Sequence, residues 1–410
     1  MFTRRSFLST AAAAPLAAQK KPAAKPKIAL VITEYRRNSH ADVIGTRLLG
    51  GYDYYGKRQE PRVQVAAMFT DQVPMNDMSR DMAKKYNVPV FDTVAEALKA
   101  GSGSLAVDGV VLIGEHGRYP YNEKGQHLYP RYELFQQIVE VFRSTGKSVP
   151  VFCDKHLSVE WKKAKWMVDQ SKELKFPFLA GSSVPVAWRR PEIEPALGSP
   201  IKHAVAAAYG GMEAYGFHAF EMMQCLVERR KGGETGIAAV QCFEGADVWK
   251  WTDANAWAPP LLEAAVARSG TRKSGAMRDN AKHPELFVIE YKDGCRGAVF
   301  MLDGHISDFN VAVDTEGAKA PLSSLFFLQP ERPYAHFAGL THWIEEMMVT
   351  GKAPYPVERT LLVTGALAAL MDSAWRGHVR LETPYLDVAY TAAKGSFYNR
   401  GAVPPGKETI

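Results

Sequence analysis

Unbroken apolar runs, rather than alternating ones, constrain this chain most. Ile28 to Thr33 and Asp108 to Gly114 are almost continuous, and Val149 to Phe152 is a shorter β-branched example. A strand that is apolar on both faces must be covered on both, as in a parallel sheet flanked by helices. Between the runs lie helical patterns. Ser39 stands as a cap before Ala41, Ile44, Leu48 and Leu49, and Met78 to Tyr86 and Tyr132 to Arg143 follow the same spacing. Val63 to Phe69 predicts a further strand, and Val88 to Leu98 a short strand followed by a helix capped by Asp92.

From Val184 this rhythm stops. Pro185, Pro191, Pro195 and Pro200 interrupt the chain before a strand at Ile201 to Ala208, a helix from Ala214 to Arg230 and a strand at Gly236 to Phe243. Asp293-Gly294, between Leu286–Tyr291 and Arg296–Leu302, is a two-residue hairpin signal. Ala335 to Val349 and Val357 to Trp375 read as amphipathic helices. A chain of 410 residues is long for one core. The fold class predicted is α/β plus α+β: a doubly wound parallel sheet over 28–183, then a largely antiparallel sheet over 184–382, with a tail at 383–410. An exposed face of that second sheet would favour a homo-oligomer.

Residues 1–18 read as an address. Thr3-Arg4-Arg5-Ser6-Phe7-Leu8 matches a twin-arginine export signal, an alanine-rich run follows, and 19–27 is a basic, proline-broken linker. The expectation is a periplasmic or secreted protein with no membrane association beyond export. The formal charge of +6 includes Arg4 and Arg5 of this leader, and no dense Lys/Arg stripe suggests nucleic acid. The four cysteines are far apart and form neither a zinc framework nor a disulfide scaffold. His342 with Glu345 and Glu346 lacks a second histidine at zincin spacing, so no metal is expected.

Residues just beyond strand carboxyl ends face the ligand crevice of an open parallel sheet. That rule selects Asp154 and Lys155 after Val149 to Phe152, and Glu115 and His116 after Asp108 to Gly114. Taken alone, Lys155 reads more readily as a surface lysine at a strand end. The turn after the first strand, Thr33-Glu34-Tyr35-Arg36-Arg37-Asn38, contains none of the glycines of Gly-x-Gly-x-x-Gly. Asp71, after the second long strand, stands where an acid holds a ribose, or where a turn needs a cap. Tyr119, Tyr121, Trp188, Trp249, Trp251 and Trp257 are candidates for a carbohydrate cleft or for core.

Gly146-Lys147-x-x-x-x-Phe152-Cys153-Asp154-Lys155-His156-Leu157, with Phe176-Pro177-Phe178-Leu179-Ala180-Gly181, resembles the Gfo/Idh/MocA family of sugar and polyol oxidoreductases, whose members carry Glu-Lys-Pro-Leu here. The likeness extends over about 27–382, through Gly351-Lys352-Ala353-Pro354 to Ser373-Ala374. It implies that Lys155 lies between nicotinamide and substrate. Tyr215-Gly216-Phe217-His218-Ala219-Phe220-Glu221 resembles the family's Asp-x-Gly-x-His-x-x-Asp helix start, implying His218 as general acid/base. Ala214 replaces the first aspartate, and Glu213 is one residue away. Substrate contacts are expected from Asp154, Glu115, His116, Glu221 and Glu213. NAD or NADP is expected against Thr33, Tyr35, Arg36, Arg37, Asn38 and Asp71, with a small carbohydrate as substrate. The alternative is a redox-inactive relative that binds carbohydrate, or a lyase or hydrolase using the same acid/base groups.

Overall fold

In a computed structural model, which describes residues 24–403, the apolar runs form a six-stranded, wholly parallel sheet. The expected leader and all but the end of the linker lie outside the described residues. β1 (Lys27–Glu34) leads through a π-helical turn (Ala41–Gly45) into α1 (Thr46–Gly50) and a small hairpin, β2 (Tyr52–Tyr54) and β3 (Lys57–Gln59). Then come β4 (Gln64–Gln72), α2 (Ser79–Tyr86), β5 (Val90–Phe91), α3 (Val94–Lys99) and β6 (Gly109–Ile113). α4 (Arg131–Thr145), β7 (Val151–Asp154), α5 (Trp161–Glu173) and β8 (Phe178–Gly181) complete the domain. The strand order is β5-β4-β1-β6-β7-β8. Its direction of winding reverses between β1 and β6, which places a crevice beyond their carboxyl ends.

Ile28 to Ile32 have no exposed surface because both sheet faces are covered. Phe135, Ile138 and Met167 pack on one face. Val43, Ile44 and Leu48 pack on the other, joined by Ile344 and Met347 from the far end of the chain. Two local expectations are corrected. Thr93, not Asp92, caps α3, accepting from the Glu96 N–H at 3.1 Å. β7 begins at Val151, so Asp154 is the last strand residue.

The second domain comprises β9 (Trp188–Arg190), β10 (Ile201–Ala208), α6 (Ala214–Val227), β11 (Ile237–Glu244), α7 (Ala246–Ala254), α8 (Ala258–Val266), α9 (Met277–Asn280) and β12 (Glu285–Tyr291). β13 (Arg296–Met301), β14 (Phe309–Thr315), β15 (Leu322–Phe327), α10 (His336–Thr350), α11 (Glu358–Trp375) and β16 (Leu381–Glu382) follow. Its sheet runs β16-β11-β12-β13-β10-β14-β15-β9, antiparallel except where β10 pairs with β13. The Asp293-Gly294 turn joins β12 to β13, with Gly294 at φ 88°. α6 and α11 cover one face, tied by a buried pair in which Arg359 Nε donates to Glu228 Oε2 at 2.8 Å.

The other face of this sheet is covered as well. Leu261, Leu262 and Val266 of α8 pack there against Val205, Phe300 and Ala312. Trp249, Trp251 and Trp257 pack around this outer core, and Trp188 is buried, so none of the four lines the crevice. Residues beyond 382 fold back, and Leu386 is fully buried. No helix of the described residues is long and apolar enough to cross a membrane.

Candidate active site

Lys155 stands one residue past β7 with a left-handed backbone, φ 67°, its N–H donating to the Gly181 carbonyl at 3.2 Å. His116, in the loop after β6, is left-handed as well at φ 71°. Side chains other than glycine disfavour this region, and residues held there concentrate at functional sites.

The Lys155 Nζ is buried 3.4 Å from Glu115 Oε1, and Arg131 donates to Glu115 Oε2 at 3.0 Å. Burial alone would raise the Glu115 carboxyl. Lys155 and Arg131 outweigh it and hold the group well below the usual carboxylate range. Glu115 is therefore a standing anion that orients Lys155, not a proton donor. His40, which sequence reasoning gave no role, completes this side. Its Nδ1 lies 2.6 Å from Asp154 Oδ2, and its ring centroid lies 5.5 Å from that of His116. Burial, then the neighbouring His40, lower His116 to about 4, so it is neutral in ordinary buffers.

His218 faces them from the start of α6. Its Nδ1 lies 2.6 Å from Ser182 Oγ, which also accepts from the Val184 N–H at 2.9 Å. Burial, then the Lys155 charge, push His218 well below its ordinary value. It is a neutral imidazole, and the Ser182 hydroxyl can partner either tautomer. His40, Glu115, His116, Lys155 and His218 share one cavity of about 620 Å³. Tyr334, just before α10, and His336 and Phe337, its first residues, also line it.

The other expected residues are placed differently. Asp154 is buried against His40 and does not line the cavity. Glu213 turns toward a second cavity, where its Oε1 lies 3.0 Å from His156 Nε2. Glu221 is corrected from substrate contact to support. Its carboxylate accepts from the Ser182 N–H and the Thr360 hydroxyl, both at 2.5 Å, and burial raises it to about 7. The last residue of β8 must be glycine there: Gly181 has φ 120°, and a Cβ would fall 2.4 Å from Glu221 Oε1.

The turn that should meet a dinucleotide is built unlike a glycine-rich loop. Thr33 and Tyr35, expected at the cofactor, are fully buried behind it. Thr33 Oγ1 donates to the Glu115 carbonyl at 2.9 Å, and the Tyr35 hydroxyl lies 2.7 Å from Thr46 Oγ1. Arg36 is paired with Glu34, and Arg37 is exposed. The Asn38 N–H donates to Asp42 Oδ2 at 2.8 Å, and Arg332, from the second domain, donates to the same oxygen at 2.8 Å and to Asn38 Oδ1 at 2.7 Å. The helix start thus holds its own anion, Asp42, where a pyrophosphate would need free amides. At the ribose end Asp71 stands near the end of β4 as the fold requires, with the Tyr119 hydroxyl donating to it at 2.5 Å. The ribose end suits a dinucleotide, whereas the phosphate end offers no backbone cradle.

No protein-family model matches the chain, and no curated protein sequence matches it. Solved structures do. GenD2 from gentamicin A biosynthesis, in complex with NAD, superposes with a TM-score of 0.54 at 14% identity, over 90% of this chain and 99% of that one. The myo-inositol 2-dehydrogenase from Lactobacillus plantarum gives 0.52 at 12% identity, over 87% and 99%. The apo scyllo-inositol dehydrogenase from Lactobacillus casei gives 0.52 at 12% identity, over 87% and 98%. Across both domains, this chain has the fold of the Gfo/Idh/MocA-type dehydrogenases.

Proposed function

We propose that the protein is a nicotinamide-dependent oxidoreductase acting on a CH–OH group of a sugar, polyol or derivative. The observation that carries this reading is Lys155, fixed past β7 by its left-handed backbone and by Glu115, facing a neutral His218 in one cavity. Its support is the fold, held in common with inositol dehydrogenases and with an NAD complex. The Lys155 ammonium donates to the substrate hydroxyl oxygen and stabilises negative charge as the O–H bond breaks. His218, uncharged, takes the proton. Glu115 stays ionised and keeps Lys155 aimed. A bound nicotinamide would supply the hydride acceptor. Asp71 would hold its ribose and Arg36, Arg37 and Asn38 would lie nearest its phosphates.

A second reading has its own observation. With Asp42 and Arg332 occupying the phosphate end, the same lysine and histidine would serve acid/base chemistry without hydride transfer, in a lyase, a hydrolase or a carbohydrate-binding protein. The experiment that separates the two is denaturation of the purified protein followed by mass analysis for released NAD(H) or NADP(H). Stoichiometric nicotinamide supports the first reading. An empty protein that also fails to bind added cofactor rejects it in favour of the second.

We also propose export to the periplasm by the twin-arginine route. Fractionation of cells expressing the full chain and an Arg4→Lys, Arg5→Lys variant tests this: the protein should leave the cytoplasm only with both arginines intact.

A further inference from the structure

A second cavity, about 490 Å³, adjoins the first, and Glu115, Lys155 and Ala214 line both. One wall is the long loop between β6 and α4, the other the ends of β11 and β12. The loop is a built element. Tyr121 and His127 face each other in a β-bridge, their rings stacked at 4.2 Å, and Lys124 at the tip is paired with Asp372 of α11. Ala214, at the start of α6, presents only a methyl group where the two cavities adjoin.

The lining carries unspent recognition chemistry. His156 Nδ1 and Glu285 Oε2 are buried with no hydrogen-bond partner, although buried polar groups are normally satisfied. Tyr121 is 65% exposed at the cavity mouth, an aromatic face backed by His127. The three cations are already committed, Arg131 and Lys155 to Glu115 and Lys124 to Asp372, while Glu213, Glu244 and Glu285 also line the space. An anionic ligand is disfavoured there. An aromatic platform with carboxylates and an imidazole suits a neutral ring bearing several hydroxyls, which stacks by its apolar face and donates from its edges.

We propose that the substrate is an uncharged two-ring glycoside, its reacting ring in the Lys155 cavity and its second ring in this adjoining one, with the linkage passing over Ala214. The inference rests on the reading of the first cavity as a carbohydrate site. Binding to the mature protein should be measured calorimetrically for methyl glycosides of glucose, galactose and mannose. The same measurement is then made on cellobiose, maltose, lactose and trehalose. At least one disaccharide should bind about tenfold or more tighter than its matching methyl glycoside. Tyr121→Ala and, separately, Glu285→Gln should each shrink that ratio severalfold. Tyr121 is too exposed for its loss to unfold the chain. Equal affinities for one and two rings, or a ratio that neither variant changes, would overturn the second subsite while leaving the carbohydrate reading intact. Failure of every sugar to bind would overturn both.

Discussion

Asp154 Oδ2 lies 2.6 Å from His40 Nδ1, joining the acid of the Asp-Lys-His segment to the turn after the first strand. The acid before the lysine thus fixes the opposite wall of the cavity and does not reach substrate. Asp154→Asn keeps the size and loses the charge that orients His40. Turnover should fall by roughly tenfold to a hundredfold, with KM nearly unchanged, because misplacement rather than lost binding is the defect. Steady-state kinetics beside thermal unfolding check this, and a loss in KM alone would contradict it.

Lys155→Met should lower turnover by roughly 10²- to 10³-fold, the range for removing one donor to a developing oxyanion. Glu115 keeps its Arg131 partner in this variant, so the fold should persist by circular dichroism. Lys155→Arg should not restore activity, since a planar guanidinium cannot replace a compact ammonium 3.4 Å from Glu115.

Asp42→Asn removes the resident anion at the start of the π-helical turn while keeping an acceptor for the Asn38 N–H. Nicotinamide dinucleotide should then bind about tenfold tighter, as the helix start and Arg332 face one negative charge fewer. Calorimetric titration of the variant and parent with NAD measures this. Unchanged affinity would show that Asp42 does not compete for the phosphate position.

Burial, then the like-charged Glu244, push the Glu285 carboxyl from 4.5 up to about 7. The folded chain therefore holds this proton more tightly than the unfolded chain. The contribution is fully present below about pH 4.5 and is lost as pH rises through about 7. Glu285→Gln should stabilise the protein by about 1–3 kcal/mol at pH 8 and by little at pH 4.5. Urea unfolding at the two pH values reads this directly, and equal shifts at both would refute the buried-carboxyl account.

Strands were the most legible part of this sequence, because an unbroken apolar run such as Ile28 to Ile32 has few places to go but the middle of a sheet. Lys155, Glu115 and His116 were legible for a related reason: each follows such a run, and chain direction places it at the crevice. Glu221 and Thr33 misled because spacing does not tell which side of a helix start or strand end meets the cavity. The role of His40 was not legible, because it lies in a contact 114 positions away. α7 and α8 escaped notice because their apolar positions cover a sheet face that the strand pattern alone leaves open. Tyr334, His336 and Phe337 reach the cavity only through the packing of one domain on the other.

The left-handed backbone of Lys155 also limits which descendants of this sequence are viable. Asparagine, aspartate, histidine and glycine tolerate that conformation, and β-branched residues do not. Drift at this position is therefore channelled toward small polar or imidazole side chains. A lineage that discards the lysine would tend to keep a polar group in the same place and reach a different proton chemistry, without first passing through an inert aliphatic pocket.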